Sequence, residues 1–275
     1  MRIDDAGQAI RISLPLLHDA AVTGLDGGLM KTGNGMLTLA AANTYTGGTT
    51  VSAGVLQVAH AAAVAQSRVT VGPGATLRVA DGVVLKSPGV TLAGGTLDLG
   101  TGRIVVAAGG ISAAELRADL LAGRAGGSWT GLAGITSTAA AAASGTRTVG
   151  YRFHQDGSTT VSYAAAGDVD LSGAVDVFDL VSVNGVGAYG TGAASIWQAG
   201  DFNYDLVTNV FDLVAVNTGG VYGRGGYWPA APSASLTATM VPEPTLGAGA
   251  AMALVAVGWT VARAACGGRS PWLSR

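Results

Sequence analysis

Apolar and polar residues alternate over much of the chain up to Gly110. Leu37 and Leu39 flank Thr38, and the same period of two runs through 49–52 and 55–58. Such alternation turns one face of a strand inward and the other to solvent. Gly47-Gly48 and Ala53-Gly54 supply the corners between these strands. Further short runs lie at 68–71, 75–79, 83–86, 89–92, 96–99 and 103–106, divided by Gly72-Pro73-Gly74, Gly94-Gly95 and Gly109-Gly110. Regular short strands with glycine corners fit the stacked rungs of a solenoid over 22–110, with Leu and Val inward. An ordinary β-sandwich hairpin is the competing arrangement. Asp81 and Asp98 read as solvated turn and face residues. Residues 10–16 offer one more strand, but the start of the chain has no clear place.

The period then changes. Ser112 and Glu115 form an S-x-x-E capping box ahead of Leu116, Leu120 and Leu121. Ile111 is placed to staple onto Leu116, and Gly123 to stop the helix. A solenoid end must be covered, so this helix is expected to plug the last rung. Residues 134–147, rich in Ala, Ser, Thr and Gly, predict a loose connection. Residues 151–154 and 159–163 flank Asp156-Gly157 and predict a hairpin. Residues 111–165 thus hold a capping helix and a hairpin.

One motif is then written twice, with Asp168 of the first copy aligned on Asp201 of the second. Val-Phe-Asp-Leu-Val occurs at 177–181 and again, in the same register, at 210–214. Ahead of it, oxygen-bearing side chains recur at loop positions 1, 3, 5, 9 and 12. They are Asp168, Asp170, Ser172, Asp176 and Asp179 in loop one, and Asp201, Asn203, Asp205, Asn209 and Asp212 in loop two. The backbone carbonyls of Ala174 and Val207 fall at position 7. Calcium takes six to eight oxygens, and a tight loop supplies them at this spacing. Gly173 holds position 6, where the turn favours positive φ; Leu206 holds it in loop two. Seven of the 17 acidic residues fall in the two loops, a crowding that is repulsive without a cation. A pair of solvated acidic loops is the alternative, weakened by two copies in register.

These residues resemble the type I dockerin, a module of two calcium loops, each followed by one helix, with Asp at position 12. The resemblance covers 166–223 and implies calcium ligation by the residues just named, and a possible cohesin-like protein partner. Positions 10 and 11, Val177-Phe178 and Val210-Phe211, either recognise that partner or pack the two copies together. The second is favoured here, because small modules need their apolar groups in the core. Earlier in the chain, Lys31-Thr32-Gly33, Gly35, Leu37, Leu39, Asn43-Thr44-Tyr45-Thr46-Gly47-Gly48-Thr49, Gly54 and Leu56 resemble the autotransporter-associated β-strand repeat. That family implies a parallel β-helix in an exported surface protein.

Residues 224–241 are a Gly, Ala, Pro and Ser-rich linker. Pro242-Glu243-Pro244 then precedes an apolar run at 246–262, followed by Arg263, Arg269 and Arg275. As a helix this run is about 25 Å long, at the short limit for spanning a membrane. Residues 242–275 resemble the PEP-CTERM sorting signal, whose transmembrane helix an exosortase removes after export.

Composition narrows the function. Glycine makes up 44 of 275 residues and charged residues 12%, which suits stacked β structure better than an α/β enzyme. A net charge of −2 gives no basic face for nucleic acid. The one cysteine, Cys266, excludes an internal disulfide and a Cys-cluster zinc site. His18, His60 and His154 have no nucleophile in a recognisable setting, and His154 near Asp156 reads as a surface histidine. No signal peptide is visible, since Asp4 and Asp5 follow Met1-Arg2 and Arg11 interrupts the apolar stretch 9–17. The chain is therefore expected to be the C-terminal part of a longer secreted protein or to have a mis-assigned start. The expected fold is mainly β: a parallel β-helix, then a small α-helical calcium module, then a transmembrane sorting helix. The expected function is that of an exported, non-catalytic surface protein. The alternative is the accessory end of a polysaccharide-degrading enzyme whose catalytic domain lies upstream.

Overall fold

A computed structural model of the chain describes residues 1–21 and 23–228. The alternating strands coil into a parallel β-solenoid. One sheet stacks β1 (Arg2–Asp4), β3 (Leu29–Thr32), β5 (Thr49–Val51), β7 (Val69–Val71) and β10 (Val90–Leu92). A second stacks β2 (Ala9–Ile12), β4 (Met36–Leu39), β6 (Val55–Val58), β8 (Thr76–Val79), β11 (Thr96–Asp98) and β13 (Gly134–Thr136). A third side begins with β9 (Val84–Ser87) and β12 (Arg103–Val106), again parallel. This parallel pairing excludes the sandwich alternative. The coil also begins earlier than the clear alternation, because β1 and β2 already form a rung.

The repeat length follows from the register. Thr49 pairs with Val69 in the first sheet and Val55 with Thr76 in the second, so one turn of the coil takes nearly the same length of chain on both sides. Near-equal turns bring like residues into columns. Ile10, Leu37, Leu56, Leu77, Leu97 and Ile135 pair in succession through the second sheet. Leu37, Leu56 and Leu77 are fully buried. Burying an aliphatic side chain contributes about 1.5–3 kcal/mol, so such columns dominate the stability of the coil.

One column contains a charge. Lys31 lies between Ile3 and Val51 in the first sheet and is fully buried. Its ammonium lies 2.5 Å from Asp5 Oδ2, an ion pair rather than a well-angled hydrogen bond. It also donates to the carbonyls of Gly33 (2.7 Å) and Ala53 (3.0 Å). Asp5 Oδ1 accepts from Gly7 (3.0 Å) and Gly35 (2.8 Å). Burial raises the Asp5 pKa, but Lys31 and these two amides outweigh it and hold the carboxyl below its ordinary value. The pair therefore ties three successive rungs at one corner.

The C-terminal end is closed by three devices. Helix α1 (Ala113–Arg124) starts at the capping box, with Ser112 N–H donating to Glu115 Oε2 and Glu115 N–H to Ser112 Oγ. Leu116 and Leu120 are buried, whereas Leu121 is 42% exposed because it lies off the face that these two share. Gly123 does not stop the helix, which continues to Arg124. It instead lets the helix lie on β13, where a Cβ would overlap the Ile135 backbone. The expected loose connection holds that strand and α2 (Thr138–Ala142). It is ordered because Ile135 completes the Leu97 column. Asp98 is buried rather than solvated, accepting from Arg78 Nε (3.0 Å), Gly100 N–H (3.0 Å) and Thr138 N–H (2.9 Å). Finally, β14 (Thr148–Phe153) and β15 (Thr159–Ala164) form the expected hairpin, and β15 pairs antiparallel with β12.

The duplicated segment shares one compact unit with the solenoid. It holds α3 (Val177–Val186), a single 3-10 turn (Trp197–Ala199) and α4 (Val210–Gly219). Among the described residues no helix is long and apolar enough to cross a membrane. The expected sorting signal at 242–275, with its span at 246–262, lies outside the described residues, as do residues 229–241 of the linker.

Replacing Lys31 with Met leaves the Asp5 carboxylate buried without its partner, and is expected to cost about 3–5 kcal/mol. The Asp5 contribution is present above the ordinary aspartate value of 3.8 and is lost as pH falls through its depressed folded value. Denaturant unfolding of both proteins at neutral and acid pH checks this. Equal stability of variant and wild type at neutral pH would contradict it.

Candidate metal centre

The two loops take the same backbone path. Leu171 and Gly173 in loop one, and Tyr204 and Leu206 in loop two, all have positive φ. Leu206, at φ 76°, adopts the left-handed conformation that Gly173 adopts without a Cβ penalty. That costs about 1–2 kcal/mol. The loops brace one another. Gly190 N–H donates to Thr208 O (2.8 Å), and Gly223 N–H donates to Val175 O (2.9 Å). Gly190 aligns with Gly223 in the duplication, and Val175 with Thr208, so each loop is held by the segment after the other copy's helix.

The predicted ligands divide into two groups. Asp168, Asp179, Asp201 and Asp212 are buried. Asp168, Asp170 and Asp179 converge, each offering a carboxylate oxygen within 4.8 Å of the others. Asp170, Ser172 and Asp205 are exposed, and Ala174, Asp176, Asn203, Val207 and Asn209 half-buried. Asp176 and Asn209 are helix N-caps, their side-chain oxygens accepting from Phe178 N–H (2.8 Å) and Phe211 N–H (2.8 Å). Asp179 and Asp212 complete capping boxes by accepting from the N–H groups of Asp176 and Asn209, both at 2.9 Å. Position 12 thus links each loop to the start of its helix.

The electrostatics favour a hard cation. Burial pushes Asp168 up to about 7, against the opposing pull of the Tyr227 hydroxyl and the Gly173 amide. Burial likewise pushes Asp201 up to about 6, with Asp212 and Asp205 adding like-charge repulsion. Asp179 and Asp212 are raised for the same first reason. Asp201 Oδ1 is buried and has no hydrogen-bond partner among the described residues. An orphaned carboxylate oxygen beside further carboxylates fits a divalent cation with oxygen ligands.

The aromatic core beneath the loops is less visible in the sequence. Trp197 is fully buried, donates its indole N–H to Asp168 O (2.9 Å), and packs on Phe202 with ring centroids 5.0 Å apart. Gly150 in β14 admits that ring, since a Cβ there would lie 2.7 Å from it. Tyr204 donates to Val149 O, and Gln198 makes a paired contact with the Phe153 backbone at 2.8 and 3.1 Å. The hairpin thus supplies the partner face for the module. Phe178 and Phe211 are accordingly not core residues, being 74% and 65% exposed. The expectation that they pack the two copies together is corrected. Tyr227 falls in the expected linker, and its only signal is an aromatic pair, Tyr227-Trp228, among small residues.

His154 is half-buried at the hairpin turn and contacts Thr160 Oγ1 at 2.8 Å.

The raised carboxyls hold protons that an unfolded chain has already released, so cation-free protein should lose stability as pH rises from 3.8 through about 7. Chelator-treated protein is expected to melt at a lower temperature at neutral pH than near pH ~5. A melting temperature that is flat or rising across that window would contradict it.

Residues 29–58 match the family model described as passenger-associated-transport-repeat. The match spans β3 to β6, the segment that resembles the autotransporter-associated repeat. No curated protein and no solved structure matches the chain.

Proposed function

We propose that this is an exported, non-catalytic surface protein whose passenger-type solenoid ends in a calcium-binding, dockerin-like module. The export reading rests on the matched repeat. The calcium reading rests chiefly on the convergence of Asp168, Asp170 and Asp179, two of them buried, in a loop that the chain repeats in register. Calcium would supply the positive charge that the buried carboxylates lack, and would be held by the side chains of Asp168, Asp170, Ser172, Asp176 and Asp179, with the Ala174 carbonyl. The second site would use Asp201, Asn203, Asp205, Asn209 and Asp212, with the Val207 carbonyl. Asp176 and Asn209, already engaged as N-caps, reach the ion directly or through water, as position 9 commonly does. Export would involve the sorting tail and an exosortase.

The helices after the loops supply the binding face. Val177, Phe178 and Val181 on α3, and Val210, Phe211 and Val214 on α4, are exposed. Two like apolar patches on one small module suit a protein partner, of the cohesin type if the dockerin resemblance extends to function. The calcium-held loops would fix the helices that present these side chains.

Calorimetric titration of the full chain with calcium is expected to show two unequal sites. Loop one has four carboxylates against three in loop two, and lacks the Leu206 penalty. Asp168→Ala should remove the tighter site and Asp201→Ala the weaker. Equal sites would contradict the ranking, and no calcium binding would contradict the reading itself. Separately, Phe178→Ser with Phe211→Ser is expected to leave the melting temperature within about 1 °C of wild type, because both rings are exposed. A large loss of stability would restore them to the core.

A further inference from the structure

The segment after α4 touches loop one and the solenoid together. The Tyr227 hydroxyl donates to Asp168 Oδ2 at 2.5 Å, and the Tyr227 backbone N–H donates to Gly173 O at 2.8 Å. Trp228 lies over loop one, where a Cβ on Gly173 would come within 2.5 Å of its ring. The same ring stacks on Arg103 of β12, with the guanidinium carbon 3.7 Å from its centroid. The Trp228 indole N–H donates to Tyr163 O of β15 at 3.3 Å, and Arg103 Nη1 donates to Leu171 O at 3.4 Å. Residues 221–228 therefore form a strap from the first ligand of loop one to the last paired strands of the coil.

Among the described residues loop two has no such strap. The residue placed like Tyr227 is Ser195, whose N–H donates to Leu206 O at 2.7 Å as that of Tyr227 does to Gly173 O. The Ser195 hydroxyl is bonded to Thr208 Oγ1 at 2.6 Å. Asp168 Oδ2 thus has two donors, Gly173 N–H and the Tyr227 hydroxyl, whereas the corresponding Asp201 Oδ2 has one, Leu206 N–H (3.1 Å), and Asp201 Oδ1 has none among the described residues. The repeat makes the loops alike, and their flanks make them different.

We infer that Tyr227 is a positioning residue for loop one, through which an ion held there fastens the 221–228 strap onto the end of the solenoid, a connection that loop two lacks. This rests on the calcium reading above. The Tyr227 hydroxyl donates to the buried Asp168 carboxylate and so holds this ligand in the orientation that an ion at loop one requires. The coupling is reciprocal: if the closed strap favours calcium, calcium favours the closed strap by the same factor. Trp228 and Arg103 carry the closure to β12 and β15, because both are displaced if the strap lifts.

The test uses the full chain, calcium alone as ligand, and two readouts. Calorimetry reads both affinities, and trypsin cleavage after the exposed Arg224, located by mass spectrometry, reads the strap. For wild type, calcium should slow that cleavage about tenfold relative to chelator. Tyr227→Phe should weaken the loop-one site about tenfold, the loss of one hydrogen bond to a charged acceptor, and leave loop two unchanged. It should also make cleavage at Arg224 insensitive to calcium. Trp228→Leu, which keeps the Tyr227 hydroxyl, should retain calcium binding at loop one but abolish calcium-dependent protection of the β12 and β15 amides from hydrogen exchange. Calcium binding and cleavage that are the same in Tyr227→Phe as in wild type would overturn this inference alone. A wild type that binds no calcium would overturn the calcium reading and this inference with it.

Discussion

A stack of parallel strands ends in a row of unpaired N–H and C=O groups, and that edge must be closed. Here the closure at the C-terminal end uses three kinds of structure. β13 pairs onto β11, α1 lies on β13, and the hairpin turns the third sheet antiparallel at β12. The outer strand of the hairpin, β14, carries Tyr151 and Phe153 on one face and the bare backbone of Gly150 on the other. The Trp197 ring fits at Gly150, and the Tyr204 ring lies beside Tyr151. The duplicated module is thus built on the closing element of the solenoid.

That placement explains how so small a module holds four buried carboxylates. α3 buries little of its own apolar surface, and Asp179 is its one buried residue. The apolar burial that orders the loops comes from Val169, Leu171, Phe202 and Tyr204, around Trp197 and against the hairpin. The buried acids work against folding, and on the proposed reading a cation would offset them. With the core supplied from the hairpin, the helix faces are free to stay apolar and exposed, the condition for docking another protein.

Much of this is legible in the sequence where side-chain period and residue identity act locally. The alternation of Leu and Thr at 37–39, the capping box at Ser112 and Glu115, the Asp156-Gly157 turn and the duplication that sets Asp168 on Asp201 each specify their own structure. What escapes depends on distant partners. Gly134-Ile135-Thr136 is too short and small to look like a strand, and becomes one only because Leu97 lies beside it. β1 and β2, joined at Gly7, are short and largely exposed, and are recognised by their register. Phe178 and Phe211 are misplaced because the apolar partner of the module, the hairpin, is not part of the duplicated segment. Tyr227 stands among linker-like residues, and its contact with Asp168, far back in the chain, is a tertiary one.

On the proposed calcium reading, the solenoid end and the duplicated module unfold together and calcium stabilises both. Differential scanning calorimetry of the full chain, in excess calcium and in chelator, tests it most directly. One transition is expected in each condition, raised by roughly 5–10 °C in calcium at about a hundredfold excess over the dissociation constant. Two separate transitions, of which only the smaller responds to calcium, would show the module to be independent of the coil and contradict the claim.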